Sequence, residues 1–338
     1  MGGAWLGIVL LFFLLRKKHK SPLVFHGFLY FSFFSFVFIV FSSSLIAPVQ
    51  WQLAGQQGCD KEPDATLGYR YPADSFKREV WVLNQHDSID AVYTFDHYGR
   101  RKMPENDTAS EAILFFGCSH TFGDMVSDTQ TLPYYYYLKH PTANVYNYAL
   151  DGWGPQQALI QLQQWDIPAQ VCGKVTNVYY VYIPDHLRRI TFSKQHCKNW
   201  TEFFPYFIKS GDSLKIAGTI GEHFKKPISF WDHMSALKIL DPIPYPLWPS
   251  VKDENLCADI LLAMQNTCSA RFPSARFQVI MYPWHKSPTM LNQLEKRGVN
   301  VLDLSTLFIP VGEYAIPHNG HPTPLAYQTV ARAIKDAH

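Results

Sequence analysis

Five short apolar runs, Ala112–Phe116, Val145–Ala149, Val178–Ile183, Phe277–Tyr282 and Val299–Leu302, alternate with stretches of helical periodicity, Pro155–Trp165, Asp253–Ala270 and Pro324–Ala337. Short runs without polar alternation suit strands buried on both faces, and strands interleaved with helices are joined by crossovers. The pattern predicts a three-layer α/β/α domain over 111–338, built on a five-stranded parallel sheet. Its last helix is especially legible. Thr323 can cap it, Pro324 suits its first position, and Ala326, Val330 and Ile334 form a buried stripe.

Two stretches depart from this rhythm. Residues 51–110 read as a linker and small β lead-in, with strand-like Val80–Leu83 and Ala91–Phe95 and a turn at Gly99-Arg100-Arg101. Residues 187–251 are dense in aromatics and include Asp241-Pro-Ile-Pro-Tyr-Pro-Leu-Trp-Pro249, too rich in proline for regular helix. An insertion following a strand's carboxyl end would overhang the ligand crevice, so this one is read as a substrate-shaping lid, with inert packing as the rival reading.

Gly117-Cys-Ser-His-Thr-Phe-Gly123 directly follows the first apolar run. Ser119 therefore stands at the carboxyl end of a parallel strand, where open α/β sheets bind ligands. The spacing Gly-x-Ser-x-x-x-Gly is not that of the nucleophile elbow, which would place glycine at Thr121. Small residues in strand-to-helix turns are more often structural than catalytic. Three later segments shift that balance: Asn147-Tyr-Ala-Leu-Asp-Gly-Trp-Gly-Pro-Gln157, Val178-Tyr-Tyr-Val-Tyr-Ile-Pro-Asp-His186 and His318-Asn-Gly-His-Pro-Thr323. In this order, from Ala112 onward, the segments resemble the blocks of the SGNH (GDSL-type) hydrolase family, with its flavodoxin-like sheet.

The resemblance implies Ser119 as nucleophile and His321 as its base. A serine that attacks an acyl carbon must lose its proton to a group of near-neutral pKa within hydrogen-bond reach. Outside such a context, a histidine beside proline at a helix start is more often a cap or a surface residue. The backbone N–H groups of Ser119 and Gly152 would form the oxyanion hole together with a side-chain amide. This chain departs from the family at three places. Cys118 replaces the aspartate before the serine, and the family register selects Ser119 over Cys118 as nucleophile. Asp185 stands where an asparagine would donate, so either His186 supplies the donor or Asp185 turns toward Arg188 or Arg189. The plain reading of Asp185-His186 is a turn after a strand. His318 and Asn319 occupy the place of the block-five aspartate, so His321 is expected to act in a dyad, oriented by a backbone carbonyl or by the Asn319 amide.

No acidic residue precedes Asp60, and Arg16-Lys-Lys-His-Lys20 lies between two apolar runs. Leu23–Ala47 holds 25 residues without a formal charge, a helix of about 37 Å, long enough to cross a hydrocarbon core of about 30 Å. We expect residues 1–50 to be an anchor region whose basic cluster stays cytoplasmic, leaving the rest of the chain outside or in the periplasm of a bacterial inner membrane. Ala4–Leu15 is too short to span comfortably and is read as a second crossing, an interfacial piece or a mis-assigned start. A cleavable signal peptide is the rival view, but the apolar stretch exceeds a typical h-region.

A net charge of +2 argues against a nucleic-acid partner. The six cysteines fit an oxidising compartment, with Cys172 and Cys197 as the better candidates for a pair. Cys257 and Cys268 lie 11 apart on one helix, hence about 16 Å apart and beyond bridging. His318 and His321 have a spacing found in metal sites, yet no acidic or cysteine partner follows in a recognisable pattern, so neither metal nor cofactor is expected. Three functions share these residues: an esterase acting on an acylated small molecule or an O-acetylated envelope glycan, an O-acyltransferase served by a membrane acyl donor, and a catalytically inactive carbohydrate-binding protein.

Overall fold

In a computed structural model that describes residues 30–31, 34–35, 49–83, 87–197, 200–211, 213–228, 250–283 and 287–336, the lead-in opens with strand β1 (Gln52–Gly58). A short antiparallel pair follows, β2 (Glu62–Asp64) and β3 (Gly68–Arg70). Strands β4 (Phe76–Leu83) and β5 (Asp87–Thr94) then form a hairpin in which Phe76 faces Thr94 and Leu83 faces Asp87. β1 joins β4 to complete an antiparallel sheet of order β1-β4-β5. Beside this sheet, Tyr71, after β3, stacks on Phe95 at 4.1 Å and on Phe122 of the next layer at 5.9 Å.

The apolar runs become β6 (Glu111–Phe116), β7 (Ala143–Asn147), β8 (Lys174–Tyr182), and, after the hairpin β9 (Pro205–Ser210) and β10 (Ser213–Thr219), β11 (Arg276–Met281) and β12 (Val301–Asp303). They pair in parallel in the order β12-β11-β8-β6-β7, as the alternation predicts. Successive side chains of a strand point to opposite faces. Ala112, Leu114 and Phe116 of β6 enter one core with Tyr180 and Tyr182, while Ile113 and Phe115 enter the other with Tyr179 and Val181.

Helices cover both faces. Besides the single turn α1 (Ser119–Phe122), they include α2 (Leu132–Tyr137), α3 (Pro155–Gln164), α4 (Val251–Arg271), α5 (Pro288–Lys296) and α6 (Pro324–Asp336). The first core takes Leu159 of α3, Ile260 of α4 and Leu294 of α5; the second takes Leu132 of α2 and Val330 and Ile334 of α6. Burying such aliphatic side chains contributes about 1.5–3 kcal/mol each, which is why the apolar stripe of α6 fixes its docking. The Thr323 hydroxyl accepts the Ala326 N–H at 3.4 Å, as expected of a cap.

Residues 50–338 form one unit by themselves, so the lead-in and the α/β layers share a core. Phe204, Phe207 and Ile220, from around the β9–β10 hairpin, are buried in that same core. This part of the insertion packs against the domain and is not a free flap; residues 229–249, with most of the proline-rich tract, lie outside the described residues. So does the expected membrane segment at 23–47, apart from helical Tyr30–Phe31 and Phe34–Ser35, and Ala4–Leu15 with it. Among the described residues no helix is long and apolar enough to cross a membrane.

The expected Cys172–Cys197 pair is corrected: Cys172 is a free thiol, 3.5 Å from the Asp107 carbonyl. It precedes β8, whereas the turn carrying Cys197 follows β8, with His196 drawn to Asp185 at that strand's far end. A nine-residue strand separates its ends by about 30 Å. Cys257 and Cys268 are both free and buried on the continuous helix α4.

Candidate active site

β6 ends at Phe116, the chain turns at Gly117, and Cys118 leads into α1, whose first residue is Ser119. Cys118 is wholly buried, and burial pushes its thiol up, away from the reactive thiolate. Ser119 keeps a sliver of exposure. Gly123, at φ 88°, ends the turn and returns its N–H to the Ser119 carbonyl at 2.8 Å.

A single helical turn leaves nearly all its carbonyls without partners. Arg101, 1% exposed, meets them: Nη1 donates to the Phe122 carbonyl at 2.9 Å and to that of Gly123, and Nη2 donates to Val126 at 2.6 Å. Its Nε is held by Asp128 at 2.8 Å. From the end of β7, Asn147 Nδ2 donates to the Thr121 carbonyl at 3.2 Å. Sequence reasoning placed Arg101 in a turn and gave Asn147 no separate role. The signal was the pair of adjacent arginines ahead of an apolar strand, of which Arg100 bonds Asp96 and Tyr148 while Arg101 reaches the turn that carries Ser119.

His321 lies on the loop before α6. The loop is closed by the Ile316 N–H donating to the His321 carbonyl at 2.7 Å and by an Ala315–Pro322 bridge. Asn319 Oδ1 accepts the His321 backbone N–H at 3.1 Å and also meets the ring at Nδ1. A backbone N–H can only donate, so this Asn319 atom is the oxygen, and Nδ1 must carry a proton. The lone pair of the neutral imidazole is then at Nε2. The ring lies 5.4 Å from that of His120, the neighbour of Ser119, and the Tyr327 hydroxyl of α6 reaches the Ser119 carbonyl at 3.5 Å. Nε2 is 3.6 Å from Asp124 Oδ2. Sequence reasoning did not single out Asp124. His318 does not join the cluster: it is exposed at φ 57° and has no partner among the described residues.

Gly152 follows β7 at φ 84°, where a Cβ would come within 2.2 Å of the Tyr69 hydroxyl, so only glycine fits. Tyr69 donates to the Asp151 carbonyl at 2.8 Å, and Lys61 pairs with the Asp151 carboxylate while lying over the Tyr69 ring. The lead-in thus forms one wall of the site. Among the described residues no group accepts the backbone N–H of Ser119 or of Gly152.

After β8, Asp185 turns to Arg189, whose Nε and Nη2 donate to Oδ2 at 3.0 and 2.7 Å. Burial alone would raise the Asp185 carboxyl, but Arg189 and His196 hold it below the usual carboxylate range. It is ionised and occupied, and cannot donate. His186 is corrected as a donor too. It is fully buried, with Nδ1 2.8 Å from the Tyr180 hydroxyl, and burial pushes its titration well down, so it is a neutral core side chain. Among the described residues, no group of His, Cys, Asp and Glu side chains converges to hold a metal ion.

Ser119 after β6, Gly152 after β7, Asp185 after β8 and His321 after β12 all come to the carboxyl end of the sheet. No family model and no curated protein matches the chain. Among solved structures it is similar to a lipolytic protein of the G-D-S-L family from Veillonella parvula (11% identity, TM-score 0.38, 67% of this chain and 97% of that one). It is also similar to a psychrotrophic esterase from Pseudoalteromonas sp. (12%, 0.39, 67% and 94%) and to an acetyl xylan esterase from Butyrivibrio proteoclasticus (10%, 0.42, 87% and 96%).

Proposed function

We propose that the chain is a serine ester hydrolase of the SGNH type that cleaves carboxylic esters, O-acetyl groups on envelope glycans among them, through an acyl-serine intermediate. The observation that carries this is Asn319 Oδ1, which accepts the His321 backbone N–H and so leaves Nε2 as the basic nitrogen at the sheet end that holds Ser119. The Ser119 proton passes to Nε2 as the oxygen attacks the ester carbonyl, and the Ser119 and Gly152 N–H groups receive the oxyanion. The tetrahedral species collapses, the leaving alkoxide takes the proton from Nε2, and water repeats the sequence to free the acid.

A fluorophosphonate should label the protein at Ser119. Ser119→Ala should abolish labelling and Cys118→Ala should leave it intact; labelling that survives the serine change would sink the assignment. Turnover of an acetyl ester, with and without a glycan acceptor, separates hydrolysis from acyl transfer and from binding alone. The membrane reading is also ours: residues 23–47 anchor the chain, and the catalytic domain faces away from the cytoplasm. A carboxyl-terminal reporter fusion active only in the cytoplasm would contradict it.

A further inference from the structure

Asp124 stands just beyond α1, between two residues of left-handed backbone, Gly123 at φ 88° and Met125 at φ 60°. Methionine seldom adopts that conformation, and here the Met125 N–H holds it by donating to Asp124 Oδ1 at 3.1 Å and to the Tyr93 hydroxyl at 3.0 Å. Tyr93 in turn donates to buried Glu79 of β4 at 3.3 Å. With Oδ1 taken by its own backbone, Asp124 presents Oδ2 to His321 Nε2 at 3.6 Å.

That placement discriminates between two states of the ring. Asn319 makes Nδ1 the protonated nitrogen, so in the resting state a carboxylate oxygen faces the Nε2 lone pair and gains nothing from it. Once Nε2 has taken the serine proton, the same oxygen faces an N–H of a cation. A group that favours the charged state over the resting one lowers the barrier rather than tightening ground-state binding.

The geometry points to Asp124 as the carboxylate that stabilises the His321 imidazolium, acting on Nε2 in place of the aspartate that positions 318 and 319 lack; this rests on the Ser119–His321 chemistry proposed above. The proton balance is simple. The Ser119 O–H bond breaks, an Nε2–H bond forms, Asp124 accepts a hydrogen bond from it without taking the proton, and the proton leaves with the departing alkoxide. Asp124 must be ionised to act. Burial pushes its carboxyl up, opposed by His321 and Lys61 and reinforced by Asp151 and Glu79. The ionisation of Asp124 therefore contributes to the acid limb of the kcat/KM profile.

The test uses the full chain in detergent, with a fluorophosphonate and an acetyl ester as probes. Asp124→Asn keeps an acceptor for the Met125 N–H. It should slow Ser119 labelling by about 10²-fold, short of the ~10⁴ lost where the carboxylate also fixes the tautomer, because Asn319 does that here. Its acid limb should lose the Asp124 ionisation, and Asp124→Glu should recover most of the rate and restore that ionisation. Asp124→Asn labelling within about threefold of the parent, or slowed with the parent's acid limb unchanged, overturns the role while the serine chemistry stands. If the parent itself shows no Ser119-dependent labelling, both fall. Should Asp124→Asn lose near-UV dichroism, Asp124→Glu decides alone: an acid limb that keeps the carboxyl ionisation supports the role, and a limb without it at the parent rate overturns it.

Discussion

A single oxygen of Asn319, fixed by the His321 backbone N–H, sets the His321 tautomer. Asn319→Ala should lower kcat/KM by roughly 10²-fold, less than the ~10⁴ known for a charged partner, and Asn319→Asp should retain the parent rate. His318→Ala, on an exposed and unpartnered residue, should leave esterase turnover unchanged. At Gly152 the constraint is steric. Gly152→Ala should lower stability by about 1–3 kcal/mol in thermal unfolding, and Tyr69→Phe should relieve part of it, because the clash is with the hydroxyl. Asp185 gives a pH signature. Its carboxyl is held below the usual range, so its contribution to folding is complete above about pH 4 and fades as the pH falls below that. The stability gap between the parent and Asp185→Asn should therefore shrink on acidification.

At the scale of elements, α1 is too short to stand on its own hydrogen bonds, and a buried guanidinium from the lead-in takes the place of the missing turns. Arg101→Met would leave the carbonyls of Phe122, Gly123 and Val126 without their donor and Asp128 without its cation. Removing one partner of such a buried pair costs about 3–5 kcal/mol, so we expect a loss of that size in urea unfolding. Fluorophosphonate labelling should fall in the protein that stays folded, because Ser119 rides on the turn. α6 behaves differently: its stripe of Ala326, Val330 and Ile334 docks it through ordinary burial, and the placement of the His321 loop follows from that docking.

For the whole molecule, the lead-in belongs to the same compact unit as the α/β layers. Tyr71, Tyr93 and Phe95 stack around Phe122 of α1, and Lys61 and Tyr69 shape the Gly152 side of the crevice. A chain lacking residues 51–110 would expose Phe122 to water and lose Arg101 together with the Asp128 contacts to Thr94. It should show the far-UV signal of helices without native near-UV dichroism, and no Ser119 labelling.

The parallel sheet, its helices and the loop position of His321 were legible along the chain because each depends on local periodicity: buried runs for strands, a spacing of four for α6, and threonine and proline at its start. The predicted α3, α4 and α6 match the observed helices to within two residues. The placement of Ser119, Gly152 and His321 at the carboxyl end of the sheet was legible because motifs at the ends of parallel strands come to one edge. Other parts of the site were not legible. The contacts of Arg101, Asn147 and Asp124, the turning of Asp185 to Arg189 and the burial of His186 all depend on partners that only folding brings together. Arg101 meets the Phe122 carbonyl 21 residues downstream, and Trp51 meets the Pro317 carbonyl 266 residues away. A charged side chain looks alike in sequence whether water or a carbonyl cage surrounds it, and only tertiary structure decides which.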